Sequence, residues 1–390
     1  MMNRFHYLKS KYPGVLLLGC ISFFTDIASE MLYPITPIFL TTILGSSMTN
    51  VGLIEGIAEG VSSLLKTYTG FWSDRIAKRK PFIFLGYFLS AISRPLIGLS
   101  TLPLQVLGAR VTDRIGKGLR TAPRDALIAD MVEPAERGLA FGWHRALDTL
   151  GAVAGPLLTL VLLKYFTDLR HAYFYALIPG LLSVAFIFFL KEPARLDRIV
   201  AQKFSFQWKN LNHDYKVFII GWTLFCLTNS SDAFLILKMK DGGVEFSEII
   251  LLYAWYNLVY ALFSPYLGNL SDHLGVKKIL LMGLSLFTIV YVGFAYSTHK
   301  YQFAVLLALY GIYMAATEGV SKAYVSKLTS PDTRATALGL LGTFSGLAQI
   351  FASLVTGILW DHYGATVALL FSCLGSLALI MLLSFSRKMK

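Results

Sequence analysis

Charge is scarce in this chain: 15% of its 390 residues are Asp, Glu, Lys or Arg, and 55% are hydrophobic. A soluble domain clothes its surface with about a quarter charged residues, so the shortage excludes that class and points to a bilayer as the solvent. Cysteine is scarce as well. Cys20, Cys226 and Cys373 lie far apart inside hydrophobic runs with no CxxC, which excludes a disulfide framework and a zinc site. No phosphate-binding loop, metal-ligand histidine pair or nucleophile elbow occurs, and Gly116-Lys117-Gly118 is too short to cradle a phosphate. The chain therefore reads as neither an enzyme nor an ATP-driven machine, and it calls for no bound cofactor or metal.

What is present is a succession of apolar runs. Spanning a hydrocarbon core of roughly 30 Å takes about 20 apolar residues. Runs of that kind predict twelve helices, near 14–42, 50–72, 81–100, 102–131, 137–165, 171–190, 215–237, 247–270, 277–297, 301–327, 334–360 and 364–385. The first follows Arg4, Lys9 and Lys11 and superficially resembles a signal peptide. It is too long for one, carries Asp26 and Glu30 and lacks a small-residue cleavage site, so it is read as a retained helix.

The net charge of +12 falls between the apolar runs instead of along one polar face, a topology signal and not a nucleic-acid surface. Arg75, Lys78, Arg79 and Lys80, then Lys191, Arg195, Arg198 and Lys203, then Lys277, Lys278 and Arg334, and last Arg387, Lys388 and Lys390 fall on one side. The other side has two uncharged loops and only Lys164, Arg170, Lys238, Lys240 and Lys300. Positive residues stay inside, so both termini are expected in the cytoplasm and the protein in the plasma membrane.

The polar connection at 191–214, with Phe204, Phe206 and Trp208, divides residues 1–190 from 215–390. These halves repeat. Gly70, Ser73, Asp74, Ala77 and Lys80 answer to Gly268, Ser271, Asp272, Gly275 and Lys278 at an offset of 198, and Pro134, Arg137, Ala140 and Gly142 to Pro331, Arg334, Ala337 and Gly339 at 197. Two matches at nearly one offset imply a duplicated six-helix unit.

Gly70-Phe-Trp-Ser-Asp74-Arg75-Ile-Ala-Lys78-Arg79-Lys80, with its weaker echo at Gly268 and Asp272, resembles the loop signature of the major facilitator superfamily, and the resemblance covers the whole chain. Ala77 stands where that family usually has Gly. The resemblance implies an all-α fold of two pseudo-symmetric six-helix bundles that carries a small solute by alternating access, with Gly70, Asp74, Arg75, Arg79, Gly268 and Asp272 as a gating motif. Gly151-Ala-Val-Ala-Gly155-Pro156 is similar to the signature of the proton-coupled antiporter branch, although Leu157-Leu-Thr-Leu departs from the small-residue pair that normally follows. Arg114-Ile-Gly-Lys117-Gly118-Leu-Arg120 resembles the helix-four motif whose Arg is associated with proton coupling, and Arg110, which lies deeper, is the second choice.

A charge near the bilayer centre costs at least about 2.5–3.5 kcal/mol, so each should face a partner or an aqueous cavity. Asp26 lies about 18 Å along its helix from Gly14, at mid-membrane, with Glu30 on the same face. Glu55 and Glu59 share a face of helix two, and helix four carries Arg110, Asp113 and Arg114. These seven are the proton-coupling candidates, Asp26 first. The family's arrangement implies that Asp26, Arg110, Asp148, Asp232, Tyr256, Asn257 and Glu318 belong to a substrate cavity. Static ion pairs that hold the helices together are the competing reading for each. Packing aromatics compete with a solute wall for Tyr253, Tyr256 and Tyr260, and His144 reads as a packing residue. Gly52, Gly56 and Gly60 predict a close helix approach. Pro34, Pro37, Pro95, Pro156 and Pro265 are candidate kinks.

Proton-coupled efflux by a monomer is thus the first functional expectation. Proton symport or uniport of a polar nutrient, an anion or a metal chelate stays open, as does a sensor that keeps the fold without turnover; the two-half repeat argues against a channel. The expected partners are a small-molecule substrate and the lipid bilayer, with no nucleic acid.

Overall fold

The computed structural model describes residues 10–76, 78–133, 137–166, 168–192, 212–329 and 331–385. Arg4, Lys9, Ala77, Pro134, most of the connection expected at 191–214 and the basic carboxyl terminus lie outside the described residues, as do the side chains of Asp74, Arg137, Asp272 and Arg334.

The first apolar run begins as α1 (Pro13–Glu30), with Pro13 where a missing N–H costs nothing. It does not continue to 42 as one helix. Pro34 cannot donate to the preceding turn, and the chain passes through a bend into a short helix at Thr36–Ile38 and a π-helical stretch at Phe39–Ile43. There Thr41 returns its hydroxyl to Pro37 O at 3.1 Å, and Thr42 bonds Ile38 O.

Next come α2 (Met48–Ile76), α3 (Lys80–Leu99), α4 (Pro103–Met131), α5 (Arg137–Leu163) and α6 (Arg170–Phe188). The stretch expected as one helix at 215–237 is α7 in two pieces, His213–Cys226 and Ala233–Asp241. Its interruption holds Thr228, Asn229, Ser230 and Ser231, side chains that compete for backbone hydrogen bonds. Then follow α8 (Phe246–Leu274), α9 (Val276–Tyr296) and α10 (Lys300–Leu328). The helical run Pro331–Phe385 is broken at Gly364 (φ 82°), which divides it into α11 (331–363) and α12 (365–385). Pro95, Pro156 and Pro265 sit inside unbroken helices, and the breaks among the described residues include those at Pro34, at Ala176 within α6, in α7 and at Gly364.

Eight of the described helical segments are long and apolar enough to cross a membrane, the last of them containing α11 and α12. Those that fall short are α2 and α4, which carry charge, and α7, which is broken. Leu99, Leu104, Phe188 and Phe189 are each at least 63% exposed, an apolar exterior that lipid solvates and water would not.

The internal repeat is visible in the helices. Both α2 and α8 run 29 residues with ends offset by 198, and both α4 and α10 run 29 residues with ends offset by 197. Local chemistry repeats with them. Gln105 Oε1 accepts from Thr101 N at 2.7 Å and Leu102 N at 3.2 Å, and Gln302 Oε1 accepts from Thr298 N and His299 N at 3.2 and 3.3 Å. Ser73 and Ser271 donate to the carbonyls of Gly70 and Gly268 at 3.0 and 2.7 Å.

The chain divides into two compact units, one of Met1–Thr36 and Val61–Lys203, the other of Pro37–Gly60 and Phe204–Lys390. In the first, α1 packs on α5 and α6 while α3 packs on α4 and α6, around Leu18, Ile21, Tyr87, Ala91, Leu127 and Ile187. In the second, α10 packs on α8 and α9, and α7 and α9 pack on the 331–385 run.

The grouping of Pro37–Gly60 with the second unit differs from a division at 191–214 alone, and the glycine stripe explains it. A Cβ at Gly56 would lie 2.9 Å from Ile350 O, while Gly52 and Gly60 lie against Ser353 and Ile350. Close packing on α11 is therefore the role of this stripe.

Candidate functional site

In the first unit the site is built by two glycines. A Cβ at Gly151 would lie 2.5 Å from Phe23 O, and one at Gly155 would lie 2.7 Å from Ile27 O. Only hydrogen on these α carbons lets α5 lie this close to α1. The helix-five motif is thus a docking surface for α1, and Thr159 adds a 2.8 Å bond to Met31 O.

The close approach, with a Cβ at Gly151 3.1 Å from Asp26 Cβ, brings the carboxyl groups of Asp26 and Asp148 next to one another, both partly exposed. One turn away on both helices the pattern repeats with Ser22 and His144, whose Oγ and Nε2 are 2.9 Å apart. Arg145 Nη1 pairs with Asp148 at 3.2 Å, and Glu30 and Arg120 add their charges around Asp26. Asp148, expected as a cavity residue, is thus the direct partner of the first-choice proton site.

On α4, Asp113 lies among Arg94, Arg110, Arg114 and Arg120. Arg114 Nη1 is 3.7 Å from its carboxylate. Arg94, 3% exposed, donates to Thr25 O at 3.3 Å. Arg120 lies over the Tyr87 ring at 4.6 Å from the centroid and donates to Ser90 Oγ. Four guanidinium groups around one carboxylate leave a local positive surplus. Such a surplus attracts an anionic group and also lowers the cost of nearby carboxylates.

Glu55 is buried and Glu59 half-buried, but both belong to the α2 segment that packs in the second unit. Neither belongs to the unit that holds the Asp26–Asp148 pair.

In the second unit the break in α7 sets Asp232 at the start of its second piece, where Tyr310 OH donates to Oδ1 at 2.6 Å. Tyr256 lies 5.3 Å from the Tyr310 ring and 5.7 Å from Tyr253. Tyr253, Tyr256 and Asn257 are at most 7% exposed, so this stripe faces protein and not lipid. Asp232, Tyr253, Tyr256 and Tyr310, with Leu235, Ile236, Met239 and Leu307, line a cavity of about 10 Å³. That is room for about one water, not for a solute. Asn257 Nδ2 returns to Tyr253 O at 3.2 Å. Glu318 accepts from Tyr260 OH and lies 3.7 Å from Lys322 Nζ.

Among the described side chains of the loop motif, Arg79 is the buried one. It is 3% exposed, donates to Ser73 Oγ at 2.6 Å and pairs with Asp130 at 3.5 Å. Arg75 is exposed, a Cβ at Gly70 would meet Ala122 at 3.2 Å, and Gly268 faces open space.

Sequence reasoning passed over Ser22, Tyr87 and Arg124, and named Arg120 only within the helix-four motif. A usable signal existed, since Ser22 precedes Asp26 by four residues as His144 precedes Asp148, and Arg120 precedes Arg124 by the same step.

Comparison with known proteins agrees with this architecture. The Major Facilitator Superfamily model matches residues 18–237 and 217–389. An uncharacterised MFS-type transporter of Methanocaldococcus jannaschii is 39% identical over 372 residues, 92% of each chain. Multidrug resistance protein 2 of Bacillus subtilis is 23% identical over 90% of each chain. A crystal structure of a mutant of the nucleoside transporter NupG superposes with a TM-score of 0.80 at 15% identity, covering 96% of this chain and all of that one. Twelve helices among the described residues in a duplicated six-helix pattern and a family match over nearly the full length lead to one conclusion: this chain belongs to the Major Facilitator Superfamily and is a multi-pass membrane secondary transporter.

Proposed function

We propose that the protein exports a small solute in exchange for protons, as a monomer in the plasma membrane with both termini in the cytoplasm and the proton gradient as its energy source. The observation that carries the reading is the approach of α5 to α1 at Gly151 and Gly155, which sets Asp26 beside Asp148, because two neighbouring carboxyl groups bind and release a proton as the charges around them change. Arg120, Arg124 and Arg145 stand close enough for a shift in any of them to change the pair's proton affinity. Resemblance to a multidrug resistance protein supports export of an amphipathic solute.

The test is transport of ethidium by proteoliposomes under an imposed pH gradient. Flux should follow the gradient in wild type and lose that dependence in Asp26→Asn and Asp148→Asn. Flux indifferent to the gradient, or an Asp26→Asn protein that behaves as wild type, refutes proton coupling.

A second reading rests on Asp113 and its four arginines, which suit uptake of an anionic solute. Under that reading radiolabelled salicylate, not ethidium, is the transported probe.

A further inference from the structure

Asp26 and Asp148 differ in what balances their charge. Asp148 has Arg145 at 3.2 Å, whereas Asp26 makes no ion pair among the described residues. The charged and titratable groups around the two are Glu30 on α1, Arg94 on α3, Arg120 and Arg124 on α4, and His144 and Arg145 on α5. Arg120 is held by the Tyr87 ring and Ser90 Oγ, and Arg124 by Ser22 Oγ and Asp125. Arg94 is held by much less.

Arg94 is 3% exposed, and among the described residues its one hydrogen bond runs from Nη2 to Thr25 O at 3.3 Å, one residue before Asp26. Its Nη1 is buried with no hydrogen-bond partner. Helix α6 faces that nitrogen with Gly180, where a Cβ would lie 3.1 Å away, so the missing side chain leaves the guanidinium its place. Helix α4 lies on another side. Ser90, one turn before Arg94 on α3, donates to Asp113 O at 3.1 Å, and Asp113 and Asp26 are both among the charges that act on the guanidinium. Asp113 already has Arg114 at 3.7 Å. A guanidinium taken out of water is costly unless a carboxylate pairs with it. Arg94 stands near two carboxylates, one on α1 and one on α4, and makes an ion pair with neither.

We propose that Arg94 is the counter-charge that Asp26 takes up when it loses its proton. Ionised, Asp26 draws the guanidinium from Thr25 O to its own carboxylate, one residue along α1, and Asp113 keeps Arg114. Protonated, Asp26 attracts no cation, and Arg94 returns to Thr25 O and the field of Asp113. The structure has the second arrangement. The proton passes to or from water at the partly exposed edge of Asp26, and the only other bond that changes is the one from Arg94 to Thr25. Arg94 is thus a positioning residue. The proton on α1 decides whether α3 is tied to α1 by an ion pair or left to α4, and a proton that favours one helix contact over another shifts the balance between conformations.

This proposal rests on the reading of Asp26 as the proton site, but its test needs no substrate. Purified full-length protein in nanodiscs is titrated with acid while the carboxylic C=O stretch is followed by infrared absorption, with the Asp26 band identified by its loss in Asp26→Asn. Arg94→Gln keeps a donor for Thr25 O but removes the cation that favours the carboxylate, and should raise the midpoint of that band by about one pH unit or more. Arg94→Lys should restore most of the difference. A residue that only packs α3 against its neighbours would lower stability in Arg94→Gln and leave the midpoint in place. A second measurement needs no change at Arg94. In wild type carrying isotope-labelled arginine, the guanidinium stretch should shift with the same midpoint as the Asp26 band, and Asp26→Asn should abolish the shift. An unchanged midpoint in Arg94→Gln, a guanidinium band that does not follow the Asp26 band, or absence of any Asp26-dependent band overturns the proposal. If the midpoint moves as described while ethidium flux in wild type ignores the pH gradient, the coupling reading fails and the counter-charge stands.

Discussion

Asp361 ties two segments that lie 312 residues apart. Its carboxylate accepts from Met48 N at 2.9 Å, Thr49 N at 2.8 Å and Thr49 Oγ1 at 2.6 Å, and so caps the first turn of α2 from the far end of α11. Those amides have no acceptor within their own helix. Losing an N-cap costs about 1 kcal/mol, and the Thr49 hydroxyl bond adds about 0.5 kcal/mol at this exposed site. Asp361→Ala should therefore destabilise the contact by about 1.5 kcal/mol, which is about tenfold in its opening equilibrium. Thr49→Val removes only the hydroxyl bond and should cost about a third as much. Hydrogen exchange read by mass spectrometry on peptides covering 46–56 measures both. Exchange in Asp361→Ala should quicken about tenfold, with Thr49→Val between it and wild type. The first-half position equivalent at an offset of 197 is Lys164, whose charge is wrong for a helix amino terminus, so the tie is not duplicated. Indistinguishable exchange in Asp361→Ala and wild type would refute the reasoning.

Other outcomes follow from the same geometry. Gly155→Val forces a side chain into the backbone of Ile27 and Met31, and should lower thermal stability by about 1–3 kcal/mol, read by thermal unfolding in detergent. Tyr310→Phe strips a buried donor from Asp232 and should cost about 1–3 kcal/mol by denaturant unfolding in detergent, whereas the same change in an Asp232→Asn background should cost less. Gly56→Leu should block the close approach of α2 to α11 and raise exchange over 48–60, while Gly268→Ala, which faces open space, should leave stability unchanged in the same assay.

Helix positions, the duplicated unit and the membrane environment were legible because each is written in local pattern. Apolar runs set the helices, and equal spacing of Gly70 with Gly268 and of Ala140 with Ala337 set the repeat. The matched helices α2 and α8, and α4 and α10, carry that repeat into the structure. The breaks were less legible. Pro34 interrupts a helix while Pro95 and Pro156 do not, since whether a freed carbonyl is satisfied depends on neighbours. In α7 the polar run at 228–231 is accommodated by other helices, with Ser231 N donating to Ser353 Oγ at 3.2 Å and Gly375 N to Thr228 Oγ1 at 3.2 Å.

The sequence by itself determined that this chain lives in lipid, that it is a duplicated helical unit, and that Asp26 lies at membrane depth. Helical spacing also put Asp26 on the face of Glu30 and Ser22, and Asp148 on that of His144. Spacing fixes only a residue's bearing about its own axis, and says nothing of which helix stands opposite. The tertiary structure decided that. Gly151 and Gly155 let α1 and α5 close to backbone contact, and that approach makes partners of Asp26 and Asp148 and of Ser22 and His144. The pair exists only across that gap, because no spacing along one helix brings Asp26 to Asp148.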